Sequence, residues 1–185
     1  MLWIVSKKMN LEELFHNKSI SVVGSAESLF GEKYGPKIDK SDLVCRFNRG
    51  GLILNPEAQG KKQNVLFFNG LNNTLVSGYD TIIQTSHRHK KHNSADYILP
   101  VSNKEELSNR MGVDRPSSGL MVLYFLYNLN CSVNIFGFDF KKTKTFYHTK
   151  YHFNEVHDYE KEKIFVHNTI LKKKEIKFNE SSNIQ

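Results

Sequence analysis

The sequence predicts an α/β protein, a single domain with a mostly parallel sheet flanked by helices. Three observations carry this. Residues 19–50 run strand, glycine turn, helix, strand: a buried apolar run at 19–23, Gly24 and Ser25, a helix from about Ala26 to Gly31, and a second apolar run ending at Asn48. Further apolar runs of strand length recur downstream and end in amides or turn residues, as at 64–68 before Asn69 and Gly70. Residues 120–129 are apolar almost all round, which requires a buried helix.

Taken in order, residues 11–16 form a short leading helix with Asn10 as its cap. In the 19–50 unit, a strand ending in Gly-Ser lets backbone approach a ligand closely. The helix that follows offers N–H groups and a positive dipole end to an anion. In open α/β sheets the ligand crevice lies outside the carboxyl ends of the strands, so Gly24, Ser25, Asn48 and Asn69 become candidates for a nucleotide site. A plain βαβ connection without a ligand would read the same way at this point. Strands are predicted at 79–84 and 96–99, with the histidines His87, His89 and His92 between them and Pro100 closing the second. A short helix covers 104–111. The buried helix then opens with Ser117, Ser118 and Gly119, a second anion-binding helix start capped by one of the two serines. A strand at 132–138 follows. Residues 139–154, rich in Lys, Thr, Tyr and His, read as a mobile functional loop, and 155–173 as a helix with His157 in its first turn. There the helix dipole keeps an imidazole neutral and available as a general base. The last residues form a polar, frayed tail.

The 185 residues, 39% hydrophobic with 13 phenylalanines, suit one domain with a real core. The first five residues hold too few apolar side chains for a membrane span or a signal core, so neither anchor nor export is expected. Cys45 and Cys131 cannot build a disulfide framework; they read as small core residues in a reducing compartment, the cytoplasm. A net charge of +7 favours anionic partners. The basic clusters 88–91, 141–144 and 172–174 read as solvated faces.

Three of these stretches together resemble the sialylmotifs of the eukaryotic-type sialyltransferases, glycosyltransferase family 29. Residues 21–48 resemble the large motif, with VVGSAESL and then YGPKIDKSDLVCRFN where the family has Gly-x-Glu-Ile-Asp and Leu-Arg-x-Asn. Residues 116–137, PSSGLMVLYFLYNLNCSVNIFG, are similar to the small motif, and 157–162, HDYEKE, to the very small motif with its His and Glu separated by four residues. The resemblance implies a Rossmann-like fold of the GT-A-like sialyltransferase variant, with a lead-in at 1–18, a catalytic domain at 19–175 and a polar tail at 176–185. It implies a metal-independent, inverting transfer of sialic acid, or a related acid such as Kdo, from a CMP-sugar donor to a hydroxyl of a glycan acceptor. No cofactor is implied. Carried over by position, Ser25, Asn48 and Asn69 hold the nucleotide and donor, Ser117, Ser118 and Gly119 bind the donor at the helix start, and His157 is the general base. The family's third motif is represented by Phe146, Tyr147 and His148 or by Tyr151 and His152, with Tyr147 and His148 preferred as the groups facing the phosphate. Glu162 has a structural place, because its helical position turns it away from His157. The family's disulfide between the large and small motifs cannot form, since Ser21 stands opposite Cys131.

Other readings predict other behaviour. A zinc site at His87, His89 and His92, or at His148, His152 and His157, matches no established ligand spacing. A basic nucleic-acid-binding module would show salt-sensitive oligonucleotide binding without preference for CMP. A degenerate transferase would bind CMP without turnover. The resemblance gives no reason to expect a nucleic-acid partner.

Overall fold

A computed structural model describes residues 10–70, 77–88, 90–149 and 156–182. Among these residues, seven parallel strands form one sheet in the order β5-β4-β3-β2-β1-β6-β7. They are β1 (Ser19–Val23), β2 (Leu43–Phe47), β3 (Val65–Phe68), β4 (Thr81–Gln84), β5 (Tyr97–Ile98), β6 (Ser132–Phe136) and β7 (Ile176–Asn179). The chain steps outward from β1 to β5 and then returns to place β6 on the other side of β1. The strand order therefore reverses between β1 and β6, where open α/β sheets leave a crevice at the carboxyl edge.

Both faces are covered, which is why the strands read as near-continuous apolar runs rather than alternating ones. Ile20, Val22, Cys45, Phe47, Val65 and Phe67 pack beneath α4 (Ser118–Tyr127) together with Phe15. Alternate residues Val23, Val44 and Phe136 turn to the opposite face, against α1 (Gly35–Asp39), α2 (Pro56–Gln59) and the 3-10 turn Glu27–Gly31. The described residues hold two further helices, α3 (Val101–Met111), ended by Gly112 at φ 63°, and α5 (Tyr159–Asn168).

Among the described residues one lysine or arginine side chain is entirely enclosed. Arg46, on β2, donates from Nη2 to the carbonyls of Gln59, Gly60 and Lys62 at 2.8, 3.3 and 3.0 Å, and from Nε to Lys62 at 3.2 Å. A fixed fork of donors satisfies the backbone that follows α2, so the strand ending in Asn48 is pinned from below.

The structure corrects several sequence boundaries. The segment expected as a tail contains β7, parallel to β6, and beyond it the Glu180 carbonyl accepts from Tyr34 Oη at 2.6 Å while Ser182 bonds Glu32. In the lead-in, Leu11 and Phe15 are core residues within a series of turns rather than a regular helix. Helix α3 begins at Val101, immediately after Pro100, whose missing N–H costs nothing at a helix start. Helix α5 runs from Tyr159 to Asn168 rather than over 155–173, and a short 3-10 turn at Ile170–Lys172 follows Thr169. Cys45 and Cys131 are buried free thiols, and burial pushes the Cys131 thiol up to about 11. Neither has the low pKa of a reactive thiolate.

Candidate active site

A cavity of about 600 Å³ opens at the carboxyl edge over the β1–β6 switch point. The eleven residues singled out from the sequence all line it: Gly24, Ser25, Asn48, Asn69, Ser117, Ser118, Gly119, Tyr147, His148, His157 and Glu162. They come from four strand ends and two helix starts, so the sheet topology assembles them.

At its floor β1 and β6 meet backbone to backbone. Gly24 N–H donates to the Phe136 carbonyl at 2.8 Å, and a Cβ on Gly24 would lie 2.3 Å from the Gly137 oxygen. Only glycine fits there. Asn48, at the end of β2, adopts φ 45° and accepts the Asn69 N–H on its Oδ1 at 3.0 Å, which links the ends of β2 and β3.

The turn after Ser25 departs from expectation. Instead of a helix with free N–H groups, Glu27–Gly31 is a 3-10 turn whose leading donors are taken. Ala26 N–H donates to the Gly137 carbonyl, Glu27 N–H to the Lys144 carbonyl, and Ser28 N–H to Thr143 Oγ1, at 3.1, 2.9 and 3.2 Å. The chain after β6 folds back as a strap, bridging Ala26 to Thr145, and removes this anion site. Within the strap, Tyr147 shares a hydrogen bond with the Ser25 hydroxyl, and Arg49 lies 5.8 Å from the centre of its ring. Burial raises the Tyr147 pKa, so its hydroxyl stays protonated as a donor. His148, next in the chain, is exposed at the cavity's edge.

Helix α4 does open onto the cavity. Ser117 is its cap, accepting Leu120 N–H at 3.2 Å. Its own N–H and hydroxyl are both committed to Glu162 of α5, at 2.6 and 2.7 Å. Ser118 accepts from Thr85 Oγ1 at 3.3 Å, and Gly119 stands where a Cβ would meet the Phe138 ring at 2.8 Å. Glu162 therefore ties α5 to α4, and it lines the same cavity as His157. Burial pushes its pKa up to about 7 against the lowering effect of the two Ser117 hydrogen bonds.

His157 lies before α5, not in its first turn, because Asp158 is the N-cap and accepts Lys161 N–H at 3.0 Å. The helix-dipole argument thus gives way to a direct contact. His157 Nδ1 is 2.8 Å from the Arg115 carbonyl, which can only accept. Nδ1 therefore carries a proton, and Nε2 is the ring nitrogen left to meet a substrate. A second cavity, about 880 Å³, adjoins the first and shares with it Phe140, Lys141, His157 and Tyr159.

Sequence reasoning left the part of Asp139 open and missed Lys141, Thr143 and Thr145; all four line the main cavity from the strap. Over 139–149 this loop is tied rather than mobile: Asp139 accepts from Lys141 N–H at 3.0 Å, from Thr143 N–H at 2.9 Å and from the Thr143 hydroxyl. The Asp two residues after Gly137, followed by Thr four residues on, was the available signal. Tyr151, His152 and His89 lie outside the described residues. Among the described residues no group of three or more His, Cys, Asp or Glu is arranged to hold a metal ion, and no helix is long and apolar enough to cross a membrane.

Fold and site together define a Rossmann-like α/β protein with a cavity at its topological switch point. No family model and no curated protein matches the sequence. Among solved structures the chain is similar to a mammalian sialyltransferase, with TM-score 0.67 and 20% identity over 88% of this chain and 69% of that one. It is similar to a mammalian sialyltransferase in complex with Gal-beta-1-3GalNAc-ortho-nitrophenol, with TM-score 0.66 and 20% identity over 91% and 71% of the two chains. The sialyltransferase CstII from Campylobacter jejuni, in complex with the substrate analogue CMP-3FNeuAc, gives TM-score 0.51 and 15% identity over 83% and 79%. The chain thus has a sialyltransferase-like fold.

Proposed function

We propose that the protein is a glycosyltransferase of the sialyltransferase kind, transferring sialic acid or a related acid such as Kdo from a CMP donor to a glycan hydroxyl without a metal. The observation that carries this is the convergence of all three sialylmotif-like stretches on one cavity at the switch point. The likeness of the fold to sialyltransferases supports it, one of them holding a CMP-sugar analogue and another a disaccharide derivative.

In this reading the donor lies in the main cavity, with Ser25, Asn48 and Asn69 around its nucleotide. Ser118 and Gly119 approach it at the α4 start, and Ser117 orders that turn through its cap. The acceptor approaches from the second cavity, across His157. Nε2 of His157 removes the acceptor hydroxyl proton as the oxygen attacks the anomeric carbon from the face opposite the phosphate. The new glycosidic bond forms, the bond to the CMP phosphate breaks, and configuration inverts. Charge growing on the departing phosphate meets the Tyr147 hydroxyl, His148 and the first-turn N–H groups of α4.

The test is turnover of CMP-sialic acid and CMP-Kdo by the purified protein with a panel of glycan acceptors, each with and without EDTA, followed as CMP release. EDTA-resistant release from one donor is expected. Absence of release and of binding for both donors would overturn the proposal, and salt-sensitive oligonucleotide binding in its place would favour a nucleic-acid module.

A further inference from the structure

Resting on the transferase reading above, we infer that Glu162 is a positioning residue for the donor: a proton on its carboxyl reverses the hydrogen bond to Ser117 and turns the Ser117 hydroxyl hydrogen to the CMP phosphate. The two carboxyl oxygens have different partners. Oε1 receives the Ser117 N–H at 2.6 Å, a group that only donates, so this oxygen stays an acceptor. Oε2 is 2.7 Å from the Ser117 hydroxyl, which donates or accepts, so this bond survives protonation with its direction reversed.

The reversal changes what Ser117 offers a ligand. Its oxygen has one hydrogen and two lone pairs, and one lone pair takes the Leu120 N–H at 3.2 Å as the cap of α4. Among the described residues only Leu120 and Glu162 bond this oxygen. With Glu162 ionised, the hydrogen goes to Oε2 and a lone pair is left over, which an anion avoids. With Glu162 protonated, both lone pairs are filled and the hydrogen is left over, which an anion seeks. Ser117 and Glu162 both line the main cavity, at the helix start whose N–H groups the reading above gives to the phosphate. Burial lifts the carboxyl to about 7 over the lowering effect of the two Ser117 bonds, and Asp158 adds to the rise, so both forms exist at neutral pH. Around the same cavity stand His157 and Tyr159 and, on the strap, Asp139, Lys141, Tyr147 and His148. On α3, Glu106 and Arg110 are engaged with Tyr124; α4 itself carries no Asp, Glu, Lys, Arg or His. Those groups are common to the proteins compared below, so ratios of affinity isolate Glu162.

The experiment is calorimetric titration of wild type, Glu162→Gln and Ser117→Ala with CMP and with cytidine, at a series of pH values from about 6 to about 8.5. In Glu162→Gln the amide nitrogen donates to Ser117 Oγ and the amide oxygen keeps the Ser117 N–H, so the variant holds the protonated arrangement at every pH. The expected result is near-equal CMP affinity for wild type and Glu162→Gln at about pH 6. At about pH 8, where about one wild-type molecule in eleven retains the proton, wild type should bind CMP about five- to tenfold more weakly than Glu162→Gln. Ser117→Ala should lose about tenfold in CMP affinity at the acid end and only a small part of that at the alkaline end. Cytidine, which has no phosphate, should bind wild type and Glu162→Gln in a constant ratio throughout. A CMP ratio between those two proteins that stays constant with pH, or a Ser117→Ala loss that does, overturns the assignment and leaves the transferase reading intact. So does a ratio that falls equally for cytidine, which would mark a loosened junction of α4 and α5 rather than a turned hydroxyl. A wild type that binds neither CMP nor cytidine overturns the transferase reading and this assignment with it.

Discussion

Glu162 shows how one side chain can join two parts of a site. Its buried carboxyl receives both the N–H and the hydroxyl of Ser117, so α5, which follows the candidate base, is registered against α4, which opens onto the main cavity. Burial raises its pKa from 4.5 to about 7, which means that the folded protein holds the proton more tightly than the unfolded chain does. The stability linked to that proton is fully present below about pH 4.5 and is lost as pH rises through about 7. The wild type should therefore be less stable at pH 8 than Glu162→Gln, by on the order of 2 to 3 kcal/mol, with the difference shrinking toward pH 5, as read from denaturant midpoints at each pH. Equal pH profiles for the two proteins would contradict the buried-carboxyl account. At this scale the legible residues were those obeying a local rule: Ser117 as a cap, Gly24 at a strand end, and Asn48 and Asn69 as polar terminators of apolar runs. Asp139 and Lys141 were not, because their places in the cavity wall depend on a turn closed by side-chain bonds and on a strap returning to residues more than a hundred positions earlier.

Elements were legible where burial imposes composition. The all-round apolar 120–129 run is a buried helix, and strands covered on both faces announced themselves as apolar runs. Boundaries failed where a partner distant in sequence decides them. The strap takes the donors that would have propagated a helix from Ala26, and Asp158 starts α5 after His157 instead of before it. Arg46 is the strongest case of an element held from a distance, since its guanidinium satisfies three carbonyls at the end of α2 and just beyond it. Removing the fork strands buried acceptors, so Arg46→Met should cost about 3 kcal/mol in chemical denaturation. Arg46→Lys should recover little of this, because one ammonium cannot reproduce the planar geometry. Full stability of Arg46→Lys would show that charge, not the fork, matters.

For the whole molecule, the order β5-β4-β3-β2-β1-β6-β7 places four loop-bearing strand ends around one cavity, and the sheet is complete only with β7. The sequence near residue 176 hides this strand, since IKFN is short, half polar and follows a lysine-rich turn. Its register with β6 and the Asn179 side-chain bond to the Ile135 carbonyl at 3.1 Å make it structural. A chain ending at residue 175 should expose the β6 edge and aggregate, whereas one ending at 182 should fold with native thermal stability, a contrast that size-exclusion chromatography and thermal melts resolve. The same architecture puts His157 between two cavities with its Nδ1 proton engaged by the Arg115 carbonyl. The most direct test of the transferase account is the rate of CMP release from a CMP-activated acid donor with acceptor present, wild type beside His157→Ala. The account predicts a loss of about a hundredfold or more with CMP affinity preserved. Release at an undiminished rate in His157→Ala would contradict it.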